Sequence, residues 1–289
     1  MDYILITVDL EDWFQVENLR PHFPHHIWDS CELRIEASTH KLLDLFDQHE
    51  VLATFFVLGW IAERCPSLVQ EIHARGHEVA SHGYNHKLCS QLSTSDLRDD
   101  LYRSKALLED ITGQPVYGYR APSFSISDEI LKIIEQCGYL YDSSYNSFAM
   151  HGRYGRIYIP PGKSNGSAFK MSDRFYELPI SNLEFTIHHS PFTINNFVFP
   201  WGGGGYFRLL PISLFIRGVK RILKQHGYYV FYCHPWEFDP DQPRVDSLRS
   251  DLRFRHYVNL KRSLAKLASF ISVFSSCSFV SCYDYLNFF

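Results

Sequence analysis

Tyr3-Ile-Leu-Ile-Thr-Val-Asp9 (YILITVD) runs apolar and β-branched residues straight into an acidic group, Asp9-Leu10-Glu11-Asp12. A run this short and this rich in Ile, Val and Thr predicts a strand buried on both faces, as parallel sheets use. Moving outward, the same kind of unit recurs. Leu52–Leu58 (LATFFVL), Glu78–Ser81, Tyr117–Arg120, Tyr139–Asp142 and Tyr228–His234 (YYVFYCH) read as strands, with shorter ones at Phe175–Pro179 and Ser278–Tyr283. Helical spacing falls between them at Glu32–His49, Pro66–Arg75, Ser93–Thr112 (with Ser95 as N-cap), Ser127–Cys137, Leu210–His226 and Leu252–Val273. Strands alternating with helices predict βα units around a parallel sheet or a (β/α) barrel, in a single domain spanning 1–289. The alternation lapses at about 144–209, where PPGKSNGS and WGGGGYF point to an insertion of irregular loops.

The chemistry gathers at strand ends. Asp9–Asp12, His82, Arg120, Asp142 and His234 each close a different strand, and in a (β/α) barrel that edge collects the reacting groups. His82-Gly83-Tyr84-Asn85-His86 places two imidazoles four residues apart, which on a helical turn share a face and can grip one ion. Two histidines and a carboxylate, with one position open to water, form the ligand set of a catalytic metal rather than a structural one. Extended backbone points Asp9 and Glu11 one way and Asp12 the other. Three acids this close repel one another unless a cation or an arginine neutralises them. A carboxylate beside such an ion can also act as general base. Arg120 and Asp142 suit the part of partners that orient acids and bases, and Pro235-Trp236 fixes the turn after His234.

Taken in order, these stretches resemble the NodB-type polysaccharide deacetylases, carbohydrate esterase family 4. The resemblance rests on ITVDLED, ATFFVLG (Ala53–Gly59), GHEVASHGYNH (Gly76–His86), TGQPVYGYRAPSFS (Thr112–Ser125), GYLYDSS (Gly138–Ser144) and YVFYCHPWEFDP. Within the family, VDLEDW, GGGYFRL and HPWE are similar to members that accompany exopolysaccharide or O-antigen gene clusters. The resemblance implies a distorted (β/α) barrel and a divalent metal, usually zinc, with Co²⁺, Ni²⁺ or Mn²⁺ as alternatives. It implies hydrolysis of an N-acetyl group on an amino sugar. By position, His82 and His86 bind the metal, Asp9 is the base, His234 protonates the departing amine, Arg120 pairs with Asp9, and Asp142 holds His234. Leu10 stands where the family has a second aspartate, so the third ligand is Glu11 or Asp12, with Glu11 favoured by its spacing from Asp9. Trp13, Tyr145, Trp201, Tyr206 and Trp236 flank these motifs and are expected to stack on sugar faces or to close the site.

Composition narrows the alternatives. The chain has 289 residues, 28 basic against 32 acidic, a net charge of -4 and 16% aromatics. That balance disfavours a nucleic-acid partner, which calls for a basic face. No apolar run reaches the roughly 20 residues that span a bilayer, and MDYILITVDLEDW has no signal-peptide pattern. Seven scattered cysteines without a CxxC pair fit a reducing compartment, so a cytoplasmic protein is expected. Leu260–Ile271 is read as packing on the barrel rather than on a membrane, and no pattern sets an oligomeric state. The competing readings are a hydrolase of another C–N bond on the same barrel, a deformylase or cyclic-amide hydrolase, and an inactive sugar-binding barrel.

Overall fold

The computed structural model describes residues 1–148, 154–159, 164–165, 168–190 and 193–287. Strand β1 (Tyr3–Leu10) is central, hydrogen-bonded in parallel to β2 (Ala53–Val57) on one side and to β11 (Tyr228–Cys233) on the other. The sheet continues from β2 through β3 (Glu78–Ser81), β4 (Gly118–Tyr119) and β5 (Tyr141–Asp142). Beyond these come β6 (Ser164–Asn165) and β7 (Ala168–Lys170), which pair antiparallel, and β8 (Tyr176–Glu177), which joins β5 in parallel to β7 in antiparallel. Next in the chain are a separate hairpin, β9 (Leu183–Ser190) and β10 (Thr193–Phe199), then β11 (Tyr228–Cys233), and last β12 (Ser278–Phe279), against the start of β1.

The sheet curls into a half-barrel. Past β8 the chain returns to β11: Ser181 donates its backbone N–H to the Val230 carbonyl, and its hydroxyl accepts the Val230 N–H at 2.8 Å. Tyr232 donates to the Gly202 carbonyl at 2.7 Å. The pleat sorts β1 into two rows. Ile4, Ile6, Val8 and Leu10 join the large core under the helices, whereas Leu5 joins a smaller core inside the curl with Phe56, Ala80, Tyr141, Leu178 and Val230. Thr7 and Asp9 continue the inner row. At Gly118 a Cβ would sit 2.1 Å from the Tyr141 ring, so only glycine lets β4 and β5 pack this closely.

The helices are α1 (Ile35–Gln48), α2 (Gly59–Arg64), α3 (Pro66–Ala74), α4 (Thr94–Thr112), α5 (Asp128–Gln136), α6 (Gly204–Leu209), α7 (Ile212–His226), α8 (Ser250–Tyr257), α9 (Leu260–Val273) and α10 (Cys282–Asn287). Several expectations need correcting. Ser93, not Ser95, caps α4, because its hydroxyl accepts the Asp96 N–H. The helix expected over Leu252–Val273 is two helices, broken where Asn259 takes a left-handed φ of 56°. The strand expected over Ser278–Tyr283 ends at Phe279 and gives way to α10. The 144–209 segment, expected as irregular loops, contains the long β9–β10 hairpin. LEFTIHHS and TINNFVF carry β-branched and aromatic residues that the surrounding Gly and Pro obscure. Most of PPGKSNGS lies outside the described residues.

Candidate active site

The inner row of β1 delivers Asp9 to the mouth of the curl. Arg120 lies fully buried beneath it and donates to Asp9 Oδ1 and Thr7 Oγ1 at 2.7 Å, and to the Ser143 carbonyl and Oγ at 2.8 Å. Its guanidinium also stacks 4.1 Å from the Phe56 ring centroid. Four of its five N–H groups are engaged, so Arg120 is a fixed positive plug that leaves Asp9 Oδ2 toward His234.

Beyond β1 the chain turns sharply, with the Glu11 N–H donating to the Asp9 carbonyl at 2.9 Å. Glu11 joins His82 and His86 in a buried trio whose candidate ligand atoms all lie within 4.8 Å of one another. The backbone between the histidines is not the helical turn expected. Gly83 has φ 73° and His86 φ 52°, an irregular loop that turns both rings inward. His82 Nδ1–H donates to the Arg120 carbonyl at 2.7 Å, which fixes its tautomer and leaves the Nε2 lone pair free. Burial, helped by His86, holds His82 down at about 4, so the ring is neutral at pH 7. Burial alone would raise the Glu11 carboxyl, but His86, His234 and His82 hold it at about 2. Glu11 Oε2 is buried 2.8 Å from His86 Nε2, off the line of a hydrogen bond, with no hydrogen-bond partner among the described residues. Two imidazoles and an orphaned carboxylate oxygen form a donor set that fits a divalent cation.

Asp12 takes no part in this cluster. Its carboxylate accepts the N–H groups of Trp13, Arg34 and Ile35 at 2.7, 2.7 and 2.9 Å, joining the turn after β1 to the start of α1. Burial raises it to about 6 despite these three donors. As a metal-ligand candidate it is therefore withdrawn, because both its oxygens are occupied on the far side of the chain from Glu11.

His234 closes β11 across the cleft. Its Nε2 lies 3.4 Å from Glu11 Oε1 and 3.8 Å from Asp9 Oδ2. The residue expected to hold it, Asp142, lies elsewhere. Asp142 accepts the N–H and hydroxyl of Ser144 at 3.0 and 2.8 Å and shares a hydrogen bond with Glu177, and burial raises it to about 6. The partner of His234 is Glu237, whose Oε2 accepts both His234 Nδ1–H and the His234 backbone N–H at 3.0 Å. Glu237 Oε1 accepts Arg208 Nε at 2.8 Å, and Arg208 spends its other nitrogens on the carbonyls of Arg255, His256 and Val258. Burial opposes a charge on His234. The Glu237 hydrogen bond, then the charges of Glu11, Glu237 and Asp9, outweigh it and hold His234 at about 9. Sequence reasoning missed Glu237 and Arg208. The available signal was the i, i+3 spacing of His234 and Glu237, which forms a capping box over the short helical turn Pro235–Phe238.

These groups open onto a cleft of about 290 Å³ lined by Asp9, Glu11, His82, His86, His234 and the side chains around them. Of the five aromatic candidates, Tyr206 and Trp236 line it, and Trp236 is stacked between His234 and His256 at ring distances of 5.2 and 4.4 Å. The other three are corrections. The Trp13 indole donates to the Glu32 carbonyl within an aromatic cluster, Trp201 stacks on Phe215 and donates to its carbonyl, and Tyr145 lies outside the cleft lining. Tyr154, Phe124 and Tyr232 line the cleft in their place. The glycines of WGGGGYF serve close packing: a Cβ on Gly204 would stand 2.1 Å from Glu237 Oε2, and one on Gly203 would stand 2.9 Å from the Tyr232 hydroxyl.

Residues 26–141 match the polysaccharide deacetylase family, and residues 143–286 match a domain of unknown function, DUF3473. A peptidoglycan-N-acetylglucosamine deacetylase of Bacillus cereus is 34% identical over 101 residues, 35% of this chain and 47% of that protein. A chitooligosaccharide deacetylase of Sinorhizobium fredii is 35% identical over 101 residues, again 35% of this chain and 47% of the relative. The chain thus spans about half the length of these relatives. Among solved structures, a protein from Mycobacterium smegmatis assigned as a polysaccharide deacetylase superposes with a TM-score of 0.61 at 21% identity, over 96% of this chain and 85% of the other. A pseudoenzyme of carbohydrate esterase family 4 from Bacillus anthracis superposes with a TM-score of 0.51 at 14% identity, over 98% of this chain and 64% of the other. The shared fold includes a protein without activity, so the side chains in the cleft, not the architecture, carry any argument about chemistry. Residues 26–141 thus carry a polysaccharide deacetylase domain, with peptidoglycan and chitooligosaccharide deacetylases among the relatives of that segment.

Proposed function

We propose that the protein is a metal-dependent hydrolase that removes the N-acetyl group from an amino sugar, in a glycan or glycan precursor of bacterial exopolysaccharide or O-antigen synthesis. The observation that carries this reading is the buried Glu11–His82–His86 trio in a cleft where His234 Nε2 lies 3.4 Å from Glu11 and 3.8 Å from Asp9. Glu11, His82 and His86 would hold the ion, with zinc favoured by the two-histidine, one-carboxylate set. A divalent ion bound there supplies Lewis acidity toward an acyl oxygen and makes water acidic enough to react at neutral pH.

The chain's own residues supply the proton chemistry. Asp9, with Oδ1 taken by Arg120, offers Oδ2 as the base that accepts a proton from attacking water. His234 presents a protonated Nε2 from the other side and can give that proton to the departing amine, which is otherwise a poor leaving group. Glu237 keeps the proton on Nδ1 and so keeps Nε2 aimed into the cleft. Tyr206 offers an aromatic face to a sugar ring, whereas both faces of Trp236 are taken by His234 and His256.

The test is acetate release from N-acetylglucosamine oligomers, together with metal analysis of the purified protein. His82→Ala with His86→Ala should abolish both bound metal and turnover. Retention of either overturns the assignment. Release of formate or ring-opened product from formamido or cyclic-amide substrates, without acetate, would favour another C–N hydrolase. Glycan binding with intact metal but no acetate would favour an inactive barrel.

A further inference from the structure

Between Glu184 and Glu237 the chain carries no acidic residue, while Arg208, Arg217, Lys220, Arg221 and Lys224 fall inside that window, in a protein whose net charge is -4. The fold gathers most of this excess on one surface. In α7, Phe215, Gly218, Val219, Ile222 and Leu223 are buried against the core, and Arg217, Lys220, Arg221 and Lys224 project from the opposite, exposed stripe. Leu214 lies on that same stripe. Around it, Phe197, Phe199, Leu209 and Leu214 are between 43% and 47% exposed, although each is a large apolar side chain.

The hairpin and α7 are joined. Arg221 lies 4.6 Å from the Phe185 ring centroid, and Phe185 meets Phe199 at 5.7 Å. Pro200, next to Phe199, lines the catalytic cleft, as does Leu209. The patch therefore borders the cleft mouth. The acids that bound this stretch in sequence are Glu184, at the foot of the hairpin, and Glu237, which is buried and committed to Arg208 and His234.

We propose that this surface, α7 with the exposed edge of β10 and the end of α6, docks the protein on an anionic lipid bilayer with the cleft mouth at the headgroup layer. Charge complementarity selects the partner. A stripe of four cations draws the chain to acidic lipids, and apolar side chains beside it enter the acyl boundary, the two signals that peripheral anchoring combines. No helix among the described residues is long and apolar enough to cross a membrane. A cleft held at the interface would meet glycans carried on lipid.

Co-sedimentation of the whole protein with vesicles tests this without reading turnover, so its failure is distinct from failure of the deacetylase reading. Vesicles of phosphatidylcholine with 30–40% phosphatidylglycerol serve as the probe, against phosphatidylcholine alone. Retention on the anionic vesicles is expected, falling with salt. Lys220→Glu with Lys224→Glu should weaken it by at least about tenfold, since each basic residue near such a surface is worth about fivefold. Phe197→Ser with Leu214→Ser should weaken it at low and high salt alike. All four positions are exposed, and unchanged circular dichroism and melting would show that the variants fold. Equal retention on both vesicle types, no retention, or retention undiminished in either variant overturns the proposal. Loss in the charge variant alone would mark a surface for soluble polyanions. A concentration-dependent dimer dissolved by the same variants would mark a self-association face, and either outcome overturns membrane docking.

Discussion

Glu237 shows how much of the site depends on a residue that contacts no reacting atom. One of its oxygens takes two N–H groups of His234 and the other takes Arg208. Glu237→Gln keeps the shape but removes the charge and offers an amide donor toward Nδ1. The expected result is a kcat loss of about 10–100-fold with metal content unchanged. Because an anion next to His234 is lost, the alkaline limb of the pH–rate profile should also move toward acid. Unchanged kcat and profile would show Glu237 to be structural only. The sequence exposed Asp9, His82, His86 and His234 because each ends a strand, where pattern and chemistry coincide. It hid Glu237, because an acid after Pro-Trp reads as solvent-facing, and it misplaced Asp142, because nothing in linear order announces that Glu177 shares its buried pocket.

His77 carries a prediction that needs no substrate. It is buried against Phe46 and Phe55, and burial lowers it to about 4 from an ordinary value near 6.5. The folded state therefore leaves it neutral while the unfolded chain takes up a proton. The stability this gives is present above about pH 6.5 and is lost as pH falls toward 4, at about 1.4 kcal/mol per pH unit. In metal-free protein, urea midpoints measured from pH 7 to 4 should fall less steeply for His77→Leu than for the parent. Parallel slopes would show that His77 is protonated in the fold.

At the scale of elements, α6 and the turn after β11 are locked together by the absence of a side chain. Gly204→Ala drives a Cβ onto Glu237 Oε2, whereas the neighbouring Gly205 has nothing within 4 Å of that position. Gly204→Ala should destabilise by about 1–3 kcal/mol and depress turnover through His234, while Gly205→Ala should leave both close to the parent value. Thermal melts and acetate release on the pair decide this. Most elements were legible from period and punctuation. The β9–β10 hairpin was not, because Gly- and Pro-rich neighbours mask its β-rich runs. The His82–His86 loop was misread because identical spacing fits a helical turn, and only backbone angles distinguish the two.

For the molecule as a whole, the boundary between the two matched segments, at 141/143, cuts through one sheet. β1 is paired to β2 on one flank and to β11 on the other, and His234 and Glu237 reach the site only from the later segment. A fragment of residues 1–141 should therefore lack cooperative structure, and the full chain should unfold in one transition that circular dichroism and tryptophan fluorescence report at the same midpoint. A folded fragment, or two separated transitions, would show two independent units.

The register of β1 against β11, Tyr3 to Tyr228, also has a consequence in time. At ribosomal speeds of about 5–20 residues per second, β1 is made roughly 11 to 45 seconds before its partner. Throughout that interval a run of Ile, Leu and Val waits with one flank unpaired, the kind of edge that recruits foreign strands. The arrangement that holds Asp9 rigid in the finished protein is thus completed late in synthesis, so yield in a host cell should respond to holdase chaperones and translation rate more than to any surface substitution.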